Sequence, residues 1–358
     1  MADSTFVIAE AGVNHNGSID NALRLIDVAA DAGADAVKFQ TFRADQLATS
    51  SAGKAAYQVE NMKEAGNQLD MLRQLELSLD HHHALLERCR ERGIRFMSTG
   101  FDAEALAFLA TLDMPALKVP SGDITCGPLL LQAARFRMPL IVSTGMSTLA
   151  DIEDALGVIA FGLLNNQTPA GRTDFTDAFC SAEGRAALRR HVTLLHCVTQ
   201  YPATPAAVNL RAMDTMAAAF GLPVGYSDHT LGIEVSLAAV ARGATIIEKH
   251  FTLDRNMAGP DHAASLEPHE LAQMVRGIRT IELALGSAVK GPAVEEMPNR
   301  PVARRSLVAA RSIRQGEVFT EEMLAWKRPG SGLSPIWLWD LVGRKATRDF
   351  EPDDLIAP

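Results

Sequence analysis

The sequence predicts an α/β protein, a (β/α)8 barrel of the TIM type followed by a small β-rich domain. Eight short runs of strand-forming residues alternate with helical patterns over residues 1–285. Most of these runs are apolar until their last residues, as expected for parallel strands that are buried on both faces. A doubly wound open sheet is the alternative, but the sequence lacks the Gly-rich fingerprint that binds a dinucleotide in such folds.

The predicted strands follow one another at the spacing of strand–helix units. In chain order they cover residues 6–12, 36–41, 95–100, 116–121, 139–145, 192–198, 223–229 and 245–251. The clearest helical patterns between them cover residues 18–34, 79–93 and 234–243. Ser18 is an N-cap residue, and Gly33 and Gly93 each end a periodic segment. Eight such units predict a closed barrel.

The composition changes near residue 286. Residues 286–303 combine Gly, Pro and charge without helical periodicity, which predicts a linker between a barrel domain at 1–285 and a tail domain at 304–358. The tail is near the lower size limit for independent folding, so we expect it to pack on a barrel, its own or a partner's. Residues 162–190 are polar and contain turn signals, which indicates an insertion before the sixth strand.

Charge and cysteine usage exclude several classes. A net charge of -9 argues against nucleic-acid binding, since phosphate contacts require clustered Lys and Arg. The four cysteines, at 89, 126, 180 and 197, form no CxxC pair, which favours a reducing compartment. The N-terminus lacks a secretory pattern, and no apolar run reaches the roughly 18 residues of a membrane span. We therefore expect a cytoplasmic protein without membrane contact.

Polar residues stand at or near the end of every predicted strand. In chain order they are Glu10, Lys38, Gln40, Thr99, Lys118, Ser121, Ser143, Thr144, His196, Ser227, His229, Glu248 and His250. Active sites of (β/α)8 barrels lie at the C-terminal ends of the strands. This ring of polar residues therefore predicts an active site there.

Two neighbouring strand ends carry a histidine, in the stretches VGYSDHTLG (224–232) and TIIEKHFTL (245–253). His229 and His250 could converge on one divalent ion. Two imidazoles leave the other coordination positions to water or substrate oxygens, as a Lewis-acid catalytic site requires. The alternative is two core or capping histidines.

Four other histidines are predicted not to bind a metal. His196 lies within the apolar stretch LLHC, which indicates a core histidine. His81, His82 and His83 are consecutive at a helix start and cannot all face one ion, which predicts a solvated face.

Two lysines at strand ends indicate an anion pocket. Lys38 and Lys118 each follow apolar strand residues, and a lysine in that position needs an anionic partner. With the nearby serines they could bind a phosphate or a carboxylate. The alternative is salt bridges to Glu10 or Glu248. Glu10 is itself a candidate acid–base residue, with a structural ion pair as its alternative.

Several motifs together resemble the sialic acid synthase family, which condenses phosphoenolpyruvate with N-acylated mannosamine-type sugars. In chain order they are IAEAGVNHNG, VKFQTF, KVPSGDIT, STGMST, YSDHT, EKHFTLD, GPDHAAS and KRPGSG. The resemblance covers nearly the whole chain. It implies that the tail is an antifreeze-like (SAF) domain and that the protein is a domain-swapped homodimer in which each tail covers the partner's barrel.

The resemblance also implies roles for individual residues. His229 and His250 match the two ligands of a manganese ion, for which magnesium or cobalt are alternatives. Glu10 matches the catalytic carboxylate, and Lys38 and Lys118 act with it at phosphoenolpyruvate. The phosphoenolpyruvate positions are Lys38, Thr99, Lys118, Ser121, Ser143, Thr199 and Ser227. The sugar-side positions are Gln40, Asp123, Tyr201, Asp261 and Arg328, the last of which reaches the partner's site.

Two positions depart from the family pattern, and they affect the expected sugar. Asp123 stands where sialic acid synthases carry Glu, and Thr199 stands where some members carry a phosphate-binding Asn.

We expect an N-acetylneuraminate synthase that condenses phosphoenolpyruvate with N-acetylmannosamine and releases phosphate by C–O cleavage. The departures also fit the alternative, an N,N'-diacetyllegionaminate or other nonulosonic acid synthase that uses 2,4-diacetamido-2,4,6-trideoxymannose.

Two further alternatives belong to other classes. A metal-dependent aldolase or hydrolase could use the same barrel, but the first strand lacks the HxH cluster expected of a hydrolase. A non-enzymatic tail that binds ice or saccharide is disfavoured by its charged RRSL and KRPG segments.

Overall fold

A computed structural model describes residues 4–62 and 66–357. Eight parallel strands form a closed barrel in chain order, each hydrogen-bonded to the next and the last to the first. The strands are β1 (Phe6–Gly12), β2 (Ala36–Thr41), β3 (Arg95–Gly100), β4 (Leu117–Val119), β5 (Leu140–Ser143), β6 (Val192–Cys197), β7 (Val224–Asp228) and β8 (Ile246–His250). All eight predicted strands are present, with ends within two residues of those predicted.

Helices surround the barrel in the order expected for strand–helix units. The helices of this part are α1 (Ile19–Asp31), α2 (Ala44–Leu47), α3 (Ala56–Met62), α4 (Gln68–Leu75), α5 (Leu79–Arg92), α6 (Ala103–Leu109), α7 (Gly127–Arg135), α8 (Leu149–Leu164), α9 (Arg172–Cys180), α10 (Ala182–His191), α11 (Pro205–Val208), α12 (Ala212–Phe220), α13 (Glu234–Ala241) and α14 (Pro268–Leu285). The Ser18 side chain caps α1 by accepting a hydrogen bond from the Asn21 amide. Gly93 ends α5 in the left-handed conformation, at φ 67°.

The predicted insertion at 162–190 is helical. It contains the end of α8 together with α9 and α10, and these three helices pack on one another. Gly157 allows this packing, since a Cβ atom there would lie 2.9 Å from the Phe175 carbonyl oxygen. Phe161 and Phe175 then meet edge to face at 5.6 Å. Among the described residues, none from 162–190 lines the cleft at the strand ends.

The barrel interior is closed by apolar side chains below that cleft. They are Ile8, Ala36, Met97, Ala116, Ile141, Leu195 and Ile246, contributed by different strands. A larger apolar layer lies between the strands and the outer helices. Because these layers exclude water from the barrel, polar chemistry is confined to the C-terminal ends of the strands.

The second unit, Ser287–Pro358, has a core of its own. It contains α15 (Asn299–Ala303), the antiparallel pair β9 (Ser306–Ala309) and β10 (Leu324–Lys327), and α16 (Leu338–Leu341). Part of the predicted linker therefore forms a short helix. Leu307, Phe319 and Phe350 are among its buried core residues. No helix within 4–62 or 66–357 is both long and apolar enough to cross a membrane.

Candidate active site

A cleft of about 970 Å³ opens at the C-terminal ends of the strands, and each of the eight strands contributes a residue to it. It brings together nearly all of the residues predicted from the sequence. These are Glu10, Lys38, Gln40, Thr99, Lys118, Ser121, Ser143, Thr199, Tyr201, Ser227, His229, Glu248, His250 and Asp261. Two residues predicted to contact the sugar, Asp123 and Arg328, and two of the strand-end residues, Thr144 and His196, are not among the residues that line it.

Two carboxylates and two lysines alternate on the floor of the cleft. Lys38 Nζ lies 2.6 Å from Glu10 Oε2 and 3.5 Å from Glu248 Oε2. Lys118 Nζ lies 3.6 Å from Glu248 Oε1. All four side chains are almost completely buried. The sequence left open whether the two lysines form an anion pocket or salt bridges to Glu10 and Glu248. The salt bridges are present, and they lie within the cleft.

The two carboxylates differ in proton affinity. Burial, with a contribution from the negative charge of Glu248, raises the pKa of Glu10 to about 7, although Lys38 opposes the shift. Burial also acts to raise the pKa of Glu248, but Lys118 and Lys38 outweigh it and hold that pKa at about 2. Two carboxyl groups whose pKa values are pushed apart are suited to different roles, Glu248 as a fixed anion and Glu10 as a proton acceptor or donor.

Hydroxyl groups hold the lysines and line one side of the cleft. Lys38 Nζ donates to Thr99 Oγ1 at 2.9 Å, and Lys118 Nζ donates to Ser143 Oγ at 2.8 Å. The Ser227 hydroxyl donates to Glu248 Oε1 at 2.8 Å. Ammonium and hydroxyl donors gathered in one buried place can bind a phosphate or carboxylate group.

Gly145 brings its backbone close to this side of the cleft. Its amide donates to Ser121 Oγ at 3.0 Å. A Cβ atom at this position would lie 2.2 Å from Thr199 Oγ1 and 2.9 Å from Cys197 Sγ. Only glycine therefore fits here. Gly145 and Cys197 were not predicted as site residues from the sequence. The STG motif at the end of β5 could have indicated that Gly145 lies close to the site.

The two histidines lie side by side, with ring centroids 5.7 Å apart. His229 Nδ1 donates to the Val198 carbonyl at 2.6 Å, so the lone pair that can act as a metal ligand is on Nε2, which lies 3.4 Å from the Ser227 hydroxyl. His250 Nδ1 is buried and has no hydrogen-bond partner among the described residues. Burial lowers the pKa of both rings and so favours the neutral, metal-binding form.

The donor set fits a divalent ion with open coordination positions. Among the described residues, no group of three or more His, Cys, Asp and Glu side chains could hold a metal. Two neutral imidazoles would therefore supply all the protein ligands, and oxygen ligands from water or substrate would fill the other positions.

A buried ion pair lies directly behind these histidines. Asp228 Oδ2 accepts from Lys249 Nζ at 3.0 Å, and both side chains have 0% exposure. Asp228 also accepts from the Thr230 amide and from the Ser236 hydroxyl. Because Asp228 precedes His229 and Lys249 precedes His250, this pair fixes the relative position of the two strand ends.

We expect Lys249→Met to lower the free energy of unfolding by about 3–5 kcal/mol, because it leaves the Asp228 carboxylate buried without its cation. The measurement is urea denaturation followed by far-UV circular dichroism, since the three tryptophans, at 326, 337 and 339, all lie in the second unit. Arg172→Met is the control, because its partner Asp154 is exposed and surface pairs contribute little. If Lys249→Met and Arg172→Met lowered the free energy of unfolding equally, the stabilising role of the buried Lys249–Asp228 pair would be contradicted.

Aromatic rings line the sugar side expected from the sequence. The Tyr201 ring lies 4.1 Å from that of His229. Tyr57, which sequence reasoning missed, stacks on Tyr201 at 5.2 Å. Asp261 is buried close by, and burial raises the pKa of its carboxyl to about 6. The signal for Tyr57 was the length of the connection from β2 to α5, since loops of that size usually have a function.

Asp123 and Arg328 lie elsewhere. Asp123 belongs to a short 3-10 turn that begins at Ser121, and its half-buried carboxyl has a pKa raised to about 6 by burial. Arg328 belongs to the second unit, where its exposed guanidinium donates to the Ala303 carbonyl at 3.0 Å.

Two further histidines have structural contacts outside the cleft. His196 Nε2 donates to the Val208 carbonyl at 2.6 Å and does not line the cleft, but its side chain is half-buried and does not lie in the core as predicted. The solvated-face prediction is wrong for His82, which is fully buried. Its Nδ1 donates to the Ser78 carbonyl, so its Nε2 accepts from the Thr41 hydroxyl at 2.6 Å. Helical periodicity turns this one histidine inward.

Two known protein families match this chain in succession. The model of the NeuB family matches residues 25–290, and that of the SAF domain matches residues 304–358. The chain belongs to the NeuB family. The sequence-based assignment to the sialic acid synthases and the expected fold of a barrel followed by an SAF domain are therefore confirmed.

Individual NeuB-family relatives are similar along nearly the whole chain. The N,N'-diacetyllegionaminic acid synthase of Campylobacter jejuni is 45% identical over 98% of both chains. The protein of the same name from Legionella pneumophila is 44% identical over 96% of this chain and 91% of its own. The N-acetylneuraminic acid synthetase structure from Leptospira borgpetersenii matches with a TM-score of 0.67 and 34% identity, covering 83% of this chain and 90% of that one.

Proposed function

We propose that this NeuB-family enzyme condenses phosphoenolpyruvate with 2,4-diacetamido-2,4,6-trideoxymannose to form N,N'-diacetyllegionaminate and phosphate. The observation that carries the choice of sugar is the 45% identity to a diacetyllegionaminic acid synthase over 98% of both chains. The relatives thus favour the alternative named from the sequence over N-acetylneuraminate synthesis. The latter is the second candidate, supported by the 34% identity to the Leptospira synthetase.

The anion-binding side of the cleft is suited to phosphoenolpyruvate. Lys118 and Lys38 would supply positive charge, while Thr99, Ser121, Ser143, Thr199 and Ser227 would supply hydrogen bonds. Holding the enol carbon against the aldehyde carbon turns a bimolecular reaction into an effectively unimolecular one. Water then adds at the former C2 of phosphoenolpyruvate, and phosphate leaves with cleavage of the C–O bond.

His229 and His250 would hold a divalent ion, and manganese is our first choice before magnesium or cobalt. Such an ion would polarise the aldehyde oxygen of the open-chain sugar. Glu10, beside Lys38 and across the strand pair from His250, would accept a proton from the attacking water. The sugar would contact Gln40, Tyr201 and Asp261. It would also contact Asp123, which lies in the turn that begins at Ser121.

We further propose a domain-swapped homodimer in which Arg328 of each SAF domain serves the partner's cleft. An exposed arginine with a single backbone partner is free to bind an acyl oxygen or a carboxylate. The unpaired state of all four cysteines is consistent with a cytoplasmic enzyme.

The test measures phosphate released from phosphoenolpyruvate in the presence of manganese. The diacetamido sugar and N-acetylmannosamine are supplied in separate reactions. Preference for the diacetamido sugar supports the proposal, and preference for N-acetylmannosamine supports the second candidate. Absence of phosphate release with both sugars would contradict both.

Metal binding provides a separate prediction. Loss of a second-shell partner alone weakens metal sites by 10–100-fold, so we expect His250→Ala to weaken Mn²⁺ binding by about 100-fold or more. The measurement is isothermal titration of chelator-treated protein with Mn²⁺. His196→Asn is the matched control, because that ring lies on β6 and does not line the cleft. Unchanged Mn²⁺ affinity in His250→Ala would contradict the metal assignment.

A further inference from the structure

The connection between β2 and α5 covers part of the cleft. We call residues 44–62 and 66–75 the strap, which includes α2, α3 and α4. From α3, Tyr57 stacks on Tyr201, and Asn61 Nδ2 donates to the Pro260 carbonyl at 2.6 Å. The end of α4 lies against the loop after β1, where a Cβ atom on Gly17 would be 2.4 Å from the Gln74 carbonyl oxygen. The strap thus contacts the barrel domain through α3 and through the end of α4.

The strap supplies an apolar wall to a cleft that is otherwise mostly polar. Met71, Leu72 and Leu75 of α4 line the cleft and are 3%, 9% and 5% exposed. They pack with Val13 and Phe42 in a small apolar cluster of their own. Polar substrate groups placed against such a wall would lose hydrogen bonds to water without replacement.

The apolar wall lies on the side of the cleft opposite the phosphate-binding hydroxyls, where the end of the sugar farthest from its aldehyde carbon would lie. The phosphate-binding hydroxyls come from β3 to β7, whereas the wall lies over β1, β2 and β3 with Val13 and Phe101. The aldehyde carbon must meet phosphoenolpyruvate between these two sides. The opposite end of the open-chain sugar then extends away from the phosphate, towards the strap.

We propose that Met71, Leu72 and Leu75 of the strap form the pocket for the C6 methyl group of the sugar and select against a C6 hydroxyl. This inference rests on the proposed function, because it concerns a 6-deoxy substrate of the same cleft. A hydrophobic pocket discriminates by roughly 10–200-fold per methyl-sized difference. The strap is therefore a specificity element, and its apolar residues do not take part in the chemistry.

The experiment compares two sugars that differ by one oxygen atom, 2,4-diacetamido-2,4,6-trideoxymannose and 2,4-diacetamido-2,4-dideoxymannose. The measured quantity is the ratio of their kcat/KM values, which does not depend on the fraction of active protein. We expect the wild-type enzyme to prefer the 6-deoxy sugar by roughly 10–200-fold. Leu72→Asn should lower this ratio by about tenfold or more, and the volume-conserving Leu72→Met should retain it.

Leu69→Asn is the matched control, since Leu69 belongs to the same apolar cluster and the same helix but does not line the cleft. Its ratio should equal that of wild type even if its total activity falls. Leu75→Thr is a second cleft-lining variant that should also lower the ratio. An unchanged ratio in both cleft-lining variants would overturn the inference while leaving the proposed function intact. Failure of wild-type enzyme to use either diacetamido sugar would instead overturn the proposed function.

Discussion

Glu10→Gln should reduce kcat by at least about 10²–10⁴-fold while phosphoenolpyruvate still binds. The carboxylate is almost completely buried on the floor of the cleft, and its raised pKa suits it to exchange protons near neutrality. Glutamine has nearly the same shape but cannot accept a proton. Lys118 donates to Ser143 and Ser227 donates to Glu248, so these anion-binding groups keep their hydrogen-bond partners when Glu10 is replaced.

The ion pair with Lys38 makes this substitution informative. In Glu10→Gln, Lys38 loses the carboxylate charge at 2.6 Å, although the amide oxygen can still accept from it, and it keeps Glu248 at 3.5 Å and Thr99 at 2.9 Å. The lysine therefore remains partnered, and its pocket should persist. If Glu10 served only to hold Lys38, the substitution would weaken phosphoenolpyruvate binding and leave kcat at saturation nearly unchanged.

Isothermal titration with phosphoenolpyruvate and steady-state phosphate release distinguish these cases. Glu104→Gln is the charge control, since that side chain is 74% exposed on α6 and should not affect either measurement. Full turnover by Glu10→Gln would remove Glu10 from the chemistry. A large loss of phosphoenolpyruvate affinity with normal kcat would make it a structural partner of Lys38.

The strands and the ring of polar residues could be predicted from the sequence because both depend on local pattern. A parallel strand buried on both faces has a continuous apolar run, and the first polar residue after it marks the open end of the barrel. This argument identified Glu10, Lys38, Lys118, His229 and His250 before any contact was known, and the structure places all five in one cleft.

The parts that could not be predicted depend on contacts between distant segments. The length of the connection from β2 to α5 is the one signal of a function there, and it does not indicate that α3 and α4 fold back over the strand ends. The contact of Asn61 with Pro260 spans 199 positions along the chain. His82 illustrates the same limit, since its burial follows from its contact with Thr41 on β2, while its neighbours in sequence suggest an exposed polar run.

The proposed domain swap makes a prediction with a large effect. Two inactive variants, Glu10→Gln and Arg328→Ala, should together regain about a quarter of wild-type activity after subunit exchange. In a swapped heterodimer, the intact barrel of the Arg328→Ala protomer receives the intact arginine of the Glu10→Gln protomer. One of its two sites is therefore complete, and random exchange makes about half of all dimers heterodimers.

The control pairs two barrel defects, Glu10→Gln with Lys118→Ala. Every site in that mixture contains one defective barrel, so no rearrangement of tails can complete it, and activity should stay at the background of the separate variants. Exchange is verified by native mass spectrometry of differently tagged protomers. If Arg328 acted on its own barrel, the first mixture would be as inactive as the second, because both sites of each heterodimer would keep a defect. We therefore expect activity to recover only in the mixture of Glu10→Gln with Arg328→Ala, and only if Arg328 serves the partner's barrel. No recovery after verified exchange would contradict the swap.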